Sequence, residues 1–392
     1  MNAFDSTTRR RILGSLGMAS AVAPLLHSQQ DPFRDHSRMP GIDELVTVLD
    51  FEPVFQAKQT REVYDYTSYG SESEFTLRRN REAFGWVELV SRGVVDVSSI
   101  KTDTEVLGTK MAFPIMLSPT SGHGSLHPDG ELATHQGATA ASNTPYVVSN
   151  NSSFAFDKIA AAAAGPVWFQ LYAQEDFDAS RNVVEKAQAA GCKAVAMTVD
   201  QQASYYERPL HDRHLTAAGG RGRGGAGRVR TGNPYGVSEG RLWYSWDFID
   251  QIRPFIKVPF LAKGILTPED ARLCVEHGLD GVYVSNHGGR SLDYAPSTLE
   301  VLPEIVDAVQ GRVPVLIDSG VRSGSDILKA LALGAKAVCV GRAARWGLGS
   351  YGPAGVRRVL EILQGELVMA MAQTGRPTLE SIDRTLVRTH FR

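Results

Sequence analysis

Eight short β-forming runs recur along the chain with helix-forming sequence between them, and this alternation restricts the possible folds more than any other feature. The runs are Phe113–Leu117, Pro145–Val148, Val167–Leu171, Ala194–Val199, Val258–Ala262, Gly281–Val284, Val313–Ile317 and Ala337–Val340. Short apolar runs bounded by turn residues read as buried strands. Helices are predicted over Ser180–Ala190, Pro268–His277, Thr298–Val309 and Ser325–Leu333. Thr267-Pro268-Glu269-Asp270 gives one of them an N-cap hydroxyl, a proline at the first helical position and acids at the positive helix end. Eight such units predict an α/β fold, specifically a (β/α)8 TIM barrel rather than an open doubly wound sheet. No GxGxxG follows a first strand, which argues against a nicotinamide-type dinucleotide fold.

A chain of 392 residues accommodates one barrel with extensions. Residues 1–28 are expected to be a signal segment of twin-arginine type. Thr8-Arg9-Arg10-Arg11-Ile12-Leu13 is a basic start that leads into a short apolar stretch. Export to the periplasm is the expectation, with a disordered cytoplasmic tail as the alternative. Residues 29–41 read as a polar linker, and 42–392 as the body, whose first part, Ile42–Tyr66, is a helical extension. Pro209–Glu239, rich in Gly and Arg, is expected to be a long loop after the fourth strand.

The formal charge of −2 implies no polyanionic partner, and the arginines at 221, 223, 228 and 230 lie among glycines without the aromatics of a nucleic-acid surface. Cys192, Cys274 and Cys339 each sit in an apolar run, implying neither disulfide nor metal. His123, His127 and His135 lack acidic or thiol partners at metal-ligand spacing and read as packing or helix-end residues. Trp243 and Trp246 read as packing residues as well. No segment after the N-terminus is apolar for long enough to span a membrane.

Polar residues gather at the ends of all eight predicted strands, where barrel enzymes build their sites. The first strand ends in Ser118-Pro119-Thr120-Ser121 and the second in Ser149-Asn150-Asn151. The third carries Gln170 and Tyr172, the fourth Thr198 and Asp200, and the fifth Lys263. The sixth leads into Ser285-Asn286-His287-Gly288-Gly289-Arg290. His titrates near neutral pH and Arg forks a carboxylate, so this pair suits a site better than a core. The seventh and eighth end in Asp318-Ser319-Gly320-Val321-Arg322 and Gly341-Arg342. These two ends are the usual phosphate site of the fold, so a phosphorylated substrate or cofactor is expected.

With Lys263-Gly264, Val63-Tyr64-Asp65-Tyr66, Phe169-Gln170-Leu171-Tyr172 and Ser285 to Asp293, the set resembles the FMN-dependent α-hydroxy-acid oxidizing family. The resemblance covers about Tyr64 to Arg342 and extends towards the C-terminus. It implies FMN as cofactor and oxidation of an L-2-hydroxy acid to a 2-keto acid, with oxygen or another acceptor taking the electrons. The FMN phosphate would lie at Gly320, Arg322, Gly341 and Arg342. Its ring would meet Pro119, Thr120, Ser121, Ser149, Gln170, Thr198 and Lys263, with Lys263 stabilising negative charge on it, and Ser285, Asp318 and Ser319 would also bind the cofactor. His287 would be the general base, oriented by Asp200. Tyr172 would contact developing charge, and Tyr64 and Arg290 would hold the substrate carboxylate. A homotetramer is implied by resemblance alone.

The chain departs from that pattern at three places. Tyr206 stands where relatives carry a second substrate-binding Arg, leaving Arg208 as a candidate to reach the site. Asn151 replaces a bulky residue over the substrate, and Ser121 replaces an alanine beside the flavin. Two rival readings are another FMN barrel of isomerase type and an exported flavin-binding protein without turnover.

Overall fold

The computed structural model describes residues 38–201 and 244–391. The expected signal segment, the linker up to residue 37, the Gly/Arg-rich stretch, Tyr206, Arg208 and Trp243 lie outside the described residues. The fold is contained in the unit Ile42–Arg392.

Eight parallel strands close into a barrel in chain order: β4 (Ile115–Leu117), β5 (Tyr146–Ser149), β6 (Val167–Leu171), β7 (Val195–Thr198), β8 (Phe260–Ile265), β9 (Gly281–Val284), β10 (Val315–Ile317) and β11 (Ala337–Val340), which returns to β4. Prolines fix where many of them begin. Pro114, Pro145, Pro166, Pro259 and Pro314 each stand immediately before a strand. Proline has no N–H to donate to the ladder. Its carbonyl still accepts, as in Leu117 N–H to Pro145 and Val338 N–H to Pro114 at 2.9 Å each. For this reason Phe113 and Val313 lie outside the strands predicted to include them.

Successive side chains point to opposite faces of a strand, and the buried residues separate accordingly. Met116, Val147, Trp168, Ala196, Leu261, Tyr283, Leu316 and Cys339 form the barrel interior. Their neighbours Leu117, Val148, Phe169, Val195, Ala262, Val282, Ile317 and Val338 pack outward in the layer shared with the helices. Each fully buried aliphatic side chain contributes roughly 1.5–3 kcal/mol. The hairpin of β2 (Thr104–Val106) and β3 (Thr109–Met111) joins Val106 and Met111 to the interior cluster. Thr109 accepts from the Trp168 indole at 3.0 Å. The hairpin therefore plugs the N-terminal end and leaves the C-terminal end for a ligand.

The predicted helices form within a few residues of their expected bounds, as Phe177–Ala189, Pro268–Glu276, Thr298–Val309 and Gly324–Ala332. Thr267 caps the second of these by accepting from Asp270 N–H, as its sequence predicts. The extension folds as Phe51–Lys58, Arg61–Ser68 and Phe75–Gly85. The last barrel helix, Arg342–Gln373, bends at Tyr351-Gly352 before Pro353. Near the C-terminus β12 (Val387–Thr389) pairs antiparallel with β1 (Val87–Leu89). No helix among the described residues is long and apolar enough to cross a membrane.

Candidate active site

The turn after β9 holds His287. Ser285 Oγ accepts from His287 N–H at 3.1 Å and from Lys263 Nζ at 3.0 Å. His287 adopts a φ of 59°, a left-handed conformation that costs a non-glycine residue on the order of 1 kcal/mol. The surrounding bonds impose it. Asp200, at the end of β7, lies 3.0 and 3.3 Å from His287 Nδ1 through its two oxygens. That carboxylate sets the tautomer: Nδ1 donates and Nε2 is left to accept a proton. Nε2 faces the Tyr172 hydroxyl at 3.4 Å and the Gln201 amide at 3.5 Å. Burial raises the Asp200 pKa, but the facing His287 and Lys263 outweigh it and hold the carboxyl below its ordinary range.

Lys263-Gly264 has a structural basis beyond its charge. The ladder between β8 and β9 shifts register between Lys263 and Ile265, and Gly264 takes a φ of 114° there. A Cβ on Gly264 would stand 2.6 Å from Asp200 Cβ. Only glycine allows the bulge and the Asp200 side chain to occupy adjacent space. Lys263 therefore lies within a strand that runs three residues past its predicted end, and its ammonium is buried 3.9 Å from Asp318 Oδ2.

Arg290 Nη1 donates to the carbonyls of Tyr66 and Tyr69 at 2.6 and 3.2 Å, and its guanidinium packs 4.9 Å from the Tyr66 ring centre. Tyr66, whose hydroxyl is 2.9 Å from Ser121 Oγ, lines the cavity. Tyr64, the tyrosine expected here, does not line it. Its ring packs against Phe55 at 6.0 Å and its hydroxyl meets Glu52 at 3.5 Å. Both tyrosines lie on Arg61–Ser68, and residues two apart on a helix face nearly opposite sides. The motif contains both, and only packing selects Tyr66.

The cavity at the C-terminal end encloses about 770 Å³ of empty space, counting its open mouth. Of the residues expected to contact the cofactor, Pro119, Thr120, Ser121, Ser149, Lys263, Asp318, Ser319, Gly320, Arg322, Gly341 and Arg342 line it. Gln170, Thr198 and Ser285 are buried at the adjoining strand ends. Ser149 Oγ donates to Gln170 Oε1 at 3.1 Å, but Gln170 Nε2 and Thr198 Oγ1 are buried with no hydrogen-bond partner among the described residues. A buried polar atom without a partner is costly, and a polar heterocycle above these strand ends would satisfy both. Arg342 lines the phosphate end while donating to the carbonyls of Thr67, Gly288 and Tyr69. Arg322 stacks 4.5 Å over Trp346. The residues present fit a phosphorylated, ring-bearing cofactor.

A family model described as FMN-dependent dehydrogenase matches residues 55–389. The chain belongs to that family. FMN is its cofactor. A peroxisomal (S)-2-hydroxyacid oxidase of Arabidopsis thaliana is 40% identical to this member, over 89% of this chain and 98% of its own length. A glycolate oxidase of Spinacia oleracea is 38% identical over 87% of this chain and 95% of its own. Among solved structures, a mandelate oxidase bound to 3,3-difluoro-2-hydroxy-3-phenylpropionic acid superposes with a TM-score of 0.78 at 36% identity, covering 88% of this chain and 99% of its own.

Gln201, next to Asp200 past the end of β7, also belongs to the site, as do Tyr66 and Arg345, which carry no strand-end signature in the sequence. Of the expected packing histidines, His135 bonds the carbonyls of Ile159 and Gly165 at 2.7 and 3.0 Å. His123 is buried between Thr120 and Thr134 at 2.6 and 2.8 Å, and Trp246 stacks on His277. Asn151 is exposed and does not line the cavity.

Proposed function

We propose that this protein oxidises a small L-2-hydroxy acid to the 2-keto acid, with oxygen as the electron acceptor. The observation that carries the reading is the His287–Asp200 pair, whose remaining nitrogen meets Tyr172 in the cavity that Arg290 also lines. Arg290 binds the substrate carboxylate and Tyr66 orients it. His287 takes the proton at Nε2, and Asp200 stabilises the imidazolium that results. Tyr172 stabilises charge that develops on the substrate oxygen. Lys263 supplies positive potential against the cofactor ring. FMN, held by the strand ends from β4 to β11, supplies the two-electron acceptor.

The choice of oxygen is supported by the relatives being named oxidases. The twin-arginine-type start supports export of the folded protein. Fractionation of cells and N-terminal sequencing of the mature chain test that separately.

The deciding experiment is anaerobic flavin spectroscopy of the purified protein with glycolate, L-lactate, longer aliphatic 2-hydroxy acids and mandelate. Bleaching by at least one acid, recovered on admitting air, is the expected result. His287→Gln should retain FMN and lose bleaching, and Arg290→Met should raise the dissociation constant of the acid. Bound flavin that no acid bleaches would refute the reading.

A further inference from the structure

Arg345 lines the cavity from the first turn of Arg342–Gln373 and is almost wholly buried. Its Nε and Nη2 donate to Thr67 Oγ1 at 3.2 and 3.1 Å, and its Nη1 donates to the carbonyl of Ser121. One N–H remains on each terminal nitrogen. Its guanidinium packs 5.4 Å from the centre of the Tyr66 ring, the same ring on which Arg290 packs. Among the described residues no carboxylate lies within ion-pair distance of it. Burial lowers its pKa to about 10, with Arg290 contributing, so it is charged at neutral pH. Glu131, itself buried, attracts Arg345 only from beyond ion-pair distance, so much of the cation's desolvation cost stands and an entering anion offsets part of it.

We propose that Arg345 is a substrate-binding residue that, with Arg290 and Tyr66, forms a two-guanidinium cradle for the carboxylate of the 2-hydroxy acid. The inference rests on the 2-hydroxy-acid reading above. The remaining N–H groups supply charge-assisted bonds, while Thr67 and Ser121 fix the fork. Ser121 also meets the Tyr66 hydroxyl, so one contact set holds cation, phenol and strand-end loop together.

The test uses the oxidised holoenzyme and compounds that do not turn over: benzoylformate and pyruvate, each against its neutral amide. Binding is read from the perturbation of flavin absorbance. Arg345→Met should weaken binding of the acids by about tenfold to a hundredfold and leave the amides within about threefold. A merely structural arginine would weaken acid and amide alike, and that result overturns the proposal. So does a loss of FMN affinity with the acid-to-amide ratio unchanged, which would assign Arg345 to the cofactor phosphate. If the Met variant does not fold, Arg345→Lys carries the test. It keeps the charge and loses the fork, so the acid-to-amide preference should fall by about threefold to tenfold, and an unchanged preference overturns the proposal. A wild-type protein that binds none of the acids removes the parent reading as well.

Discussion

Asp200→Asn removes the negative charge beneath His287 while keeping the shape of the side chain. Asp200 meets Nδ1 at 3.0 Å with only 7% of its side chain exposed, so little solvent is available to replace the lost charge. At an effective dielectric of about 20, opposite unit charges about 4 Å apart attract by about 4 kcal/mol, which sets an upper limit. Hydrogen bonds to charged groups are worth about 1.5–3 kcal/mol in mutational series. The asparagine still offers an oxygen to Nδ1–H, so the lower range is the better guide. At 1.36 kcal/mol per tenfold, flavin reduction should slow by about tenfold to about 150-fold. The assay is anaerobic stopped-flow bleaching at saturating hydroxy acid, with FMN content and acid dissociation constant measured on the same preparation. Both should stay near wild type, since Asp200 does not line the cavity. A reduction rate within about threefold of wild type, under roughly 0.7 kcal/mol, would refute a proton developing on His287 in that step.

Other expectations follow from the same geometry. Tyr66→Phe should weaken hydroxy-acid binding by about tenfold, whereas Tyr64→Phe should change it by less than about twofold; equal effects would overturn the assignment of Tyr66 rather than Tyr64 to the carboxylate. Gly264→Ala should destabilise the fold by about 3 kcal/mol or more, because the new Cβ meets Asp200 at a backbone angle that alanine disfavours; wild-type stability to urea would contradict this. Asp200 also makes the stability pH-dependent. Its folded pKa is lowered, so its contribution is full above its unfolded value of about 3.9 and disappears as pH falls through the folded value. The stability difference between wild type and Asp200→Asn should therefore shrink in acid, and urea midpoints near neutrality and below about pH 3.5 would show whether it does.

Much of the fold is legible in the sequence because barrel strands are buried on both faces and are written as continuous apolar runs. The structure moves their starts to the residues after proline, where the missing N–H decides the boundary. Gly130–Ala140 escapes the same reading. Its Gly, Ala, Thr and His residues are buried around much of its circumference, so no apolar stripe marks it. The β2–β3 hairpin and the β1–β12 pair escape it too, since three-residue strands with partly polar residues show neither a period nor a continuous apolar run.

The site divides in the same way. His287, Arg290, Lys263, Asp200 and Tyr172 follow from strand ends, because a parallel barrel delivers whatever stands there to one mouth. The choice between Tyr64 and Tyr66 does not follow, since the rotation of a surface helix is set by what it packs against. Arg345 is one arginine in a long helix, and nothing local in the sequence distinguishes it from an exposed one. The sequence by itself determined the barrel, the ends that carry the chemistry and the residues His287 and Arg290. Only the tertiary structure decided which tyrosine faces the cavity, that Gly264 makes room for Asp200, and that a second guanidinium is buried beside Arg290. Those are contacts between residues far apart in the chain, and their distances depend on packing that no local pattern records.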